Sequence, residues 1–414
     1  MRIEDKTESK VVEVEKTQYI IQNCMSVRNK NIYYKTIRPA AKNIYYSFCA
    51  GLLRIVAFLL FWIRPKAITA EQIDKILLIK LERIGDLVLS TPAIRAIKEK
   101  FPHADIALIV NSYTQAVIEN NPYVDEIIVY GRAEGHKSLI KRIDFIKQLR
   151  SKKFDLGIDL TTRDFFFLPA WLLCFSRAKI TLGLDNFGRG FLFNLKVRPD
   201  KRPKPLTKEV LHILDPLEIS GLDNKPRVFL SENNKNYINE LLDEQGIGEN
   251  DILVCIHPGG VFETKYWTKD GYAKVAEYLF KQYQAKVFFI GSKQEAVRAD
   301  EIIARIEKKP VNLTGKISLG QVSALIAKCR LFIGNNSGPL HIAAALGIPT
   351  ISFLGPSVPE RWSPNEEKDI VFKIDLDCRP CELGYCYRKD LACMNSILPE
   401  EVIAAVDRQL RLLQ

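Results

Sequence analysis

Three stretches of the chain place residue types together that could do chemistry. The first is KLERIGDLVLSTPA, Lys80–Ala93, which follows a short apolar run. Gly85 admits a tight backbone there. Asp86 beside it could take a proton from a hydroxyl. The same aspartate also suits a helix N-cap, so spacing alone leaves both roles open. The second is HPGGVFETKYWT, His257–Thr268. Gly259 and Gly260 let backbone N–H groups approach a ligand closely, and Lys265 could meet a phosphate as a point charge. The bland alternative is a glycine-rich turn with a solvated lysine. The third is FIGNNSGPLHIAAALGIPTISFLG, Phe332–Gly355. Asn336, Ser337 and Gly338 lead into a helix whose unpaired N–H groups and dipole would hold an anion. His341 falls one turn in. A capped core helix is the competing reading. Glu295, in GSKQEAV, could accept ribose hydroxyls or simply complement a helix dipole.

A fourth cluster is CRPCELGYCYRKDLAC, with Cys378, Cys381, Cys386 and Cys393. Four cysteines can make a tetrahedral structural zinc site. Their spacing is not the usual pair of CxxC knuckles, so free or redox-linked thiols stay open. The other five, Cys24, Cys49, Cys174, Cys255 and Cys329, stand in apolar contexts as small hydrophobes. This is no secreted disulfide scaffold. A GxGxxG with a downstream acidic residue is absent, which excludes a nicotinamide oxidoreductase of the usual kind.

These residues need a frame to converge. Apolar runs at 76–81, 105–110, 126–130, 155–160 and 179–183 read as buried parallel strands. Helical stretches lie between them, at 91–100 (with Pro92 at its first positions) and 139–152. RPDKRPKPL at 198–206 suits neither element and reads as a linker, with a bridging helix at 207–220. A second series follows, with strands at 252–257, 286–291, 331–334 and 350–354. Its helices are expected at 269–283, 294–306, 318–328, 339–346 and 400–413. Repeated βαβ units imply two parallel sheets, and a site in the cleft between them. With 414 residues, 47% of them hydrophobic, two domains of ordinary size are expected.

Charge adds a partner. The net charge is +11. Eight Lys/Arg and no acidic residue lie between Ser26 and Lys66, and they carry most of that excess. They flank the apolar run IYYSFCAGLLRIVAFLLFWI at 44–63, which has Arg54 near its middle and aromatics near its ends. This pattern favours an anionic membrane surface over a nucleic acid. The run could lie in the membrane plane, span it, or pack on the protein itself. A signal peptide is not expected, because more than 40 residues precede the run.

The motifs in their order, IKLERIGDLVLSTPA, HPGG with Lys265-Tyr-Trp, GS with Glu295, NNSGPLHIAAALG and CRPC before a final helix, resemble glycosyltransferase family 9. That family contains the ADP-heptose:lipopolysaccharide heptosyltransferases. The resemblance spans residues 75–414 and implies a GT-B α/β fold of two Rossmann-like domains. On it, residues 1–74 are an extension and possible membrane anchor. Residues 75–205 form the acceptor domain, and residues 206–414 form the nucleotide-sugar donor domain, with a last helix crossing back. It implies inverting transfer to a lipopolysaccharide-core or related anionic, lipid-linked saccharide at the cytoplasmic face of the inner membrane, without an essential cofactor. Asp86 would be the base. Gly259, Gly260, Lys265, Glu295, Asn336, Ser337, Gly338 and His341 would hold the donor. Many family members carry Asp where this chain has Asn336, which leaves a non-catalytic sugar-nucleotide-binding protein, or another donor sugar, as alternatives.

Overall fold

The computed structural model describes residues 72–131, 138–162, 167–186, 188–200, 202–219, 221, 223–364 and 366–411. The basic extension and the apolar run at 44–63 lie outside the described residues. Among the described residues, no helix is long and apolar enough to cross a membrane.

Strands β1 (Lys75–Ile79), β2 (Asp105–Val110), β3 (Glu126–Val129), β4 (Leu156–Asp159), β5 (Ile180–Leu184) and β6 (Leu195–Val197) form one parallel sheet in the order 3-2-1-4-5-6. Strands β7 (Leu253–His257), β8 (Lys286–Phe289), β9 (Val311–Asn312), β10 (Leu331–Asn335), β11 (Thr350–Phe353) and β12 (Asp369–Phe372) form a second. Its order, 12-11-10-7-8-9, is the same winding repeated. Both are Rossmann-type sheets, and each places its switch point between its first and fourth strands. In the first, Ile76 pairs with Ile106 on one side and Leu156 on the other. In the second, Phe332 pairs with Cys255 and Thr350.

Strand alternation sorts the core. Ile76 and Leu78 face one way, while Leu77 and Ile79 face the other. Cys255 and Phe332 join the same apolar cluster as Ile76, whereas Val254 and Ile256 belong to a separate one on the far face of the second sheet. One continuous core therefore runs through both units, with a further cluster outside each sheet.

The first unit carries helices α1 (Ile84–Val88), α2 (Thr91–Lys100), α3 (Leu139–Ser151), α4 (Leu168–Ser176) and α5 (Leu206–His212). The second carries α6 (Glu232–Glu244), α7 (Lys269–Tyr283), α8 (Ala296–Ile303), α9 (Leu319–Lys328), α10 (Gly338–Ala345), α11 (Pro359–Trp362), α12 (Ala392–Asn395) and α13 (Pro399–Arg411). One expectation changes. The helix expected over 207–220 is one short helix, α5, followed by a 3₁₀ turn at Asp215–Leu217. Pro216 cannot supply an N–H to extend it. Leu206, Val210 and Leu214 are buried in the shared cluster, and α5 contacts α2. The last helix, over residues 399–411, packs on the second unit. Val402, Val406 and Leu410 pack in the second unit's outer cluster. Asp407 accepts the Tyr278 and Tyr283 hydroxyls of α7 and its C-cap turn, both at 2.7 Å.

Trp267 anchors this outer cluster. It is fully buried, stacks on Phe353 at 4.3 Å, and donates its indole N–H to Ile397 O at 3.0 Å. Replacing it with alanine removes a large buried side chain and orphans that carbonyl. Trp267→Ala should therefore destabilise the second unit by about 3–5 kcal/mol. Far-UV circular dichroism during urea unfolding checks this, and a wild-type midpoint would show that the site tolerates the void.

Candidate active site

The carboxyl ends of β1, β7, β8 and β10 open on one cavity of ≈ 710 Å³. Two helices from different units meet at its floor. A Cβ on Gly338 at the start of α10 would lie 2.8 Å from Cβ of Ile84 in α1. One on Gly85 would lie 2.7 Å from the His341 ring. Both glycines are thus required by close approach, not by backbone angle.

Asp86 follows Gly85 and is 1% exposed. It is the third residue of α1, and its Oδ2 accepts the Arg83 N–H at 3.3 Å. The two roles read from sequence are therefore compatible. One oxygen braces the first turn, and the carboxylate still lines the cavity. His341 packs against this turn. Burial pushes its pKa down to about 4, against the pull of the Asp86 carboxylate and with the push of the Lys265 ammonium. Its ring is neutral near pH 7, so it adds no charge of its own.

The facing wall is rich in donors. Thr268 caps α7 and Ser318 caps α9 through their side chains, but Ser337 at the N-cap of α10 makes no such bond. The α10 N-terminus is left open to the cavity. Ser337 Oγ instead lies 2.9 Å from Nδ1 of His257. Asn336 is 4% exposed, and its Nδ2 has no hydrogen-bond partner among the described residues. Lys265, in a 3₁₀ turn at Glu263–Lys265, lines the same space.

Glu295 does more than sequence suggested. Its Oε1 accepts the Gly260 N–H at 2.5 Å, and its Oε2 accepts the Ser292 N–H at 2.6 Å and the Ser292 O–H at 2.8 Å. A Cβ on Gly259 would fall 2.0 Å from Oε1. Burial alone would raise its pKa. The bond to His257, that ring's charge and the Ser292 donors instead hold it at about 2. This carboxylate braces the Gly259–Gly260 loop. Its remaining lone pairs could still receive a ribose hydroxyl.

Comparison with known proteins follows the same lines. The model of glycosyltransferase family 9 (heptosyltransferase) matches residues 142–390. The chain belongs to glycosyltransferase family 9. It is 27% identical over 335 residues to lipopolysaccharide heptosyltransferase 3 of Escherichia coli, covering 79% of this chain and 96% of that protein. It is 26% identical to lipooligosaccharide heptosyltransferase 2 of Haemophilus ducreyi, covering 72% of this chain and 88% of that protein. Its fold matches a family 9 glycosyltransferase from Veillonella parvula with a TM-score of 0.73 at 24% identity, over 84% of this chain and 99% of that one. The family 9 chain is therefore a glycosyltransferase with the GT-B fold, and the reading as a non-catalytic binding protein is set aside.

Sequence reading overlooked several residues that line this glycosyltransferase's cavity. His257 ends β7 and links Ser337 to Glu295. Arg83 lies over the Phe262 ring at 5.2 Å. Ile290, Ile317, Leu319 and Val322 give one wall an apolar slot. Arg361 of α11 pairs with Glu209 of α5 at 3.1 Å and donates to Thr162 at 3.2 Å, tying the units together beside the cavity. The signal for His257 was its place at a strand end before Pro-Gly-Gly. Arg83 stands inside the Lys80–Ala93 motif beside Gly85 and Asp86, and the others lie outside the three motifs.

The four clustered cysteines line a separate small pocket. Among the described residues no group of three or more His, Cys, Asp or Glu is placed to hold a metal. Burial raises the Cys381 pKa and pushes that of Cys393 up to about 12.

The buried, neutral His341 makes stability pH-dependent. Its folded pKa lies below that of an unfolded histidine, near 6.5. The unfolded chain thus takes the proton first, and stability present above pH 6.5 is lost as the pH falls toward 4. The loss reaches about 3 kcal/mol. Urea midpoints between pH 7 and pH 4.5 should fall more steeply for wild type than for His341→Gln; parallel curves would remove His341 as the source.

Proposed function

We propose that this enzyme is an inverting heptosyltransferase, moving heptose from ADP-heptose to an anionic, lipid-linked saccharide of the lipopolysaccharide core. One observation carries the reading. A carboxylate on the first unit and an uncapped helix N-terminus with unpaired donors on the second share a single cavity. Displacement at a sugar carbon needs a base for the incoming hydroxyl and positive charge for the departing diphosphate.

Asp86 takes the acceptor proton as the new C–O bond forms on one face of the sugar. The diphosphate leaves from the opposite face, which inverts the configuration. Its charge is met by Lys265, the Asn336 amide, Ser337 and the N–H groups of Gly338 and Leu340 at the start of α10. The apolar slot at Ile290 and Leu319 suits the flat face of a nucleobase, and Glu295 suits the ribose. Adenine as the base rests on similarity to a structure named as an Escherichia coli ADP-heptose heptosyltransferase, at a TM-score of 0.67 and 23% identity. In this reading residues 75–205 present the acceptor and residues 206–414 the donor. No step is assigned to a cofactor. The basic extension and its apolar run hold the enzyme, peripherally or anchored, at the cytoplasmic face of the inner membrane, next to its acceptor.

The base assignment is tested by transfer from ADP-heptose to a purified lipid-linked acceptor, followed by mass spectrometry. Asp86→Asn should lower kcat about 10²–10⁴-fold. Calorimetry should find ADP binding within about threefold of wild type, since uniform binding is untouched. Equal turnover by the two proteins would remove Asp86 as the base.

A further inference from the structure

A serine at a helix N-cap normally bonds the helix it opens. Ser337 does not. Its Oγ lies 2.9 Å from His257 Nδ1, and His257 Nε2 lies 3.5 Å from Glu295 Oε1. Carboxylate, imidazole and hydroxyl are thus strung in line, from the braced loop after β7 to the mouth of α10. His257 is 2% exposed, so water does not compete for the ring.

The donor inventory fixes what this line can do. A carboxylate only accepts, so Nε2 carries a hydrogen. A hydroxyl both gives and receives. With a hydrogen on Nδ1 as well, Ser337 Oγ receives it and turns its own hydrogen into the cavity.

We propose that Glu295, His257 and Ser337 form a hydrogen-bond relay in which His257 orients the Ser337 hydroxyl onto the departing diphosphate. The inference rests on the nucleotide-sugar reading of the cavity. His257 is then a positioning residue that acts through Ser337. No proton changes owner. As the sugar–oxygen bond breaks, negative charge gathers on the diphosphate, and the hydrogen bond from Ser337 becomes charge-assisted and stronger. An interaction that strengthens only in the transition state appears in kcat and hardly in donor binding.

A purely structural tie between β7 and α10 predicts something else, and transfer kinetics with ADP-heptose separate the two. The amide nitrogen of asparagine overlays Nδ1 of histidine, so His257→Asn keeps a donor for Ser337. Glutamine reaches only the Nε2 position, so His257→Gln keeps the Glu295 contact and loses Ser337. Ser337→Ala and His257→Gln should each lower kcat roughly 10- to 100-fold, with the donor KM within about threefold. The double variant should be no worse than His257→Gln alone, and His257→Asn should recover most of the lost rate. Effects that multiply in the double variant, a loss confined to KM, or a His257→Asn enzyme as slow as His257→Gln would each overturn the relay. Should His257→Gln not fold, His257→Asn decides: near-wild-type kcat supports the relay, and kcat as low as that of Ser337→Ala overturns it. A wild type that transfers nothing from ADP-heptose would remove the functional reading and the relay with it, whereas multiplying effects in an active enzyme remove the relay alone.

Discussion

The helices α1 and α10 come from different sheets, yet they touch where each lacks a side chain. Gly338 faces Ile84, and Gly85 faces the His341 ring, with room for hydrogen only. Everything in the cavity is measured from this contact. Asp86 is the next residue after Gly85, and Ser337 is the one before Gly338, so the proposed base and the proposed phosphate side are set by the same two backbones. A methyl group at either glycine would have to push a helix or a buried ring aside. Overpacking of that kind costs about 1–3 kcal/mol, and here it would also widen the gap that the chemistry has to span. Arg361 and its two partners, Glu209 and Thr162, add a polar tie beside the same contact.

The loop after β7 is held by a different device. Asn335 is fully buried and spends its whole amide on it. Its Nδ2 donates to Pro258 O at 2.7 Å and Gly259 O at 2.9 Å, while its Oδ1 accepts from Trp267 N and the Tyr272 hydroxyl. Glu295 closes the loop from the other side through Gly260 N. Unpaired buried polar groups each cost about 1–3 kcal/mol, so a network with these groups paired has few other arrangements open to it. That rigidity lets glycine-rich backbone serve as part of a binding wall without lying slack before the ligand arrives.

Much of this was legible in the sequence. Long apolar runs with helices between them gave the inner strands β1, β2, β7, β10 and β11, because a central parallel strand must be apolar on both faces. Of the edge strands, β3 was read at 126–130, whereas β6, β9 and β12 were not legible. β6 and β9 have three and two residues, and their side chains are partly exposed, so no run forms. The helix α1 was hidden for a related reason: five residues give too little periodicity to register. Of the candidate site, every residue chosen from the three motifs lines the cavity or braces its walls. Glu295 shows the limit of such reading. Its type and place after a strand were visible, but its bond to Gly260 depends on a loop 35 residues away folding back onto it.

Asn336 shows how these constraints meet. The resemblance to the family leads one to expect aspartate there. In this cavity Asp86 stands on one wall, and Glu295 is held ionised on the other by His257 and Ser292. A third carboxylate between them would face an anionic ligand across a buried space, where like charges are poorly screened. Asparagine keeps the shape and reverses the sense of the interaction. Its Nδ2 is buried and has no partner among the described residues, so it is a donor in need of an acceptor. A phosphate oxygen would satisfy it, as it would the N–H groups of the uncapped α10 beside it. The substitution that looked like a departure from a catalytic pattern therefore makes the second wall a more complete receptor for negative charge. It leaves Asp86, the proposed base, as the carboxylate on the other side.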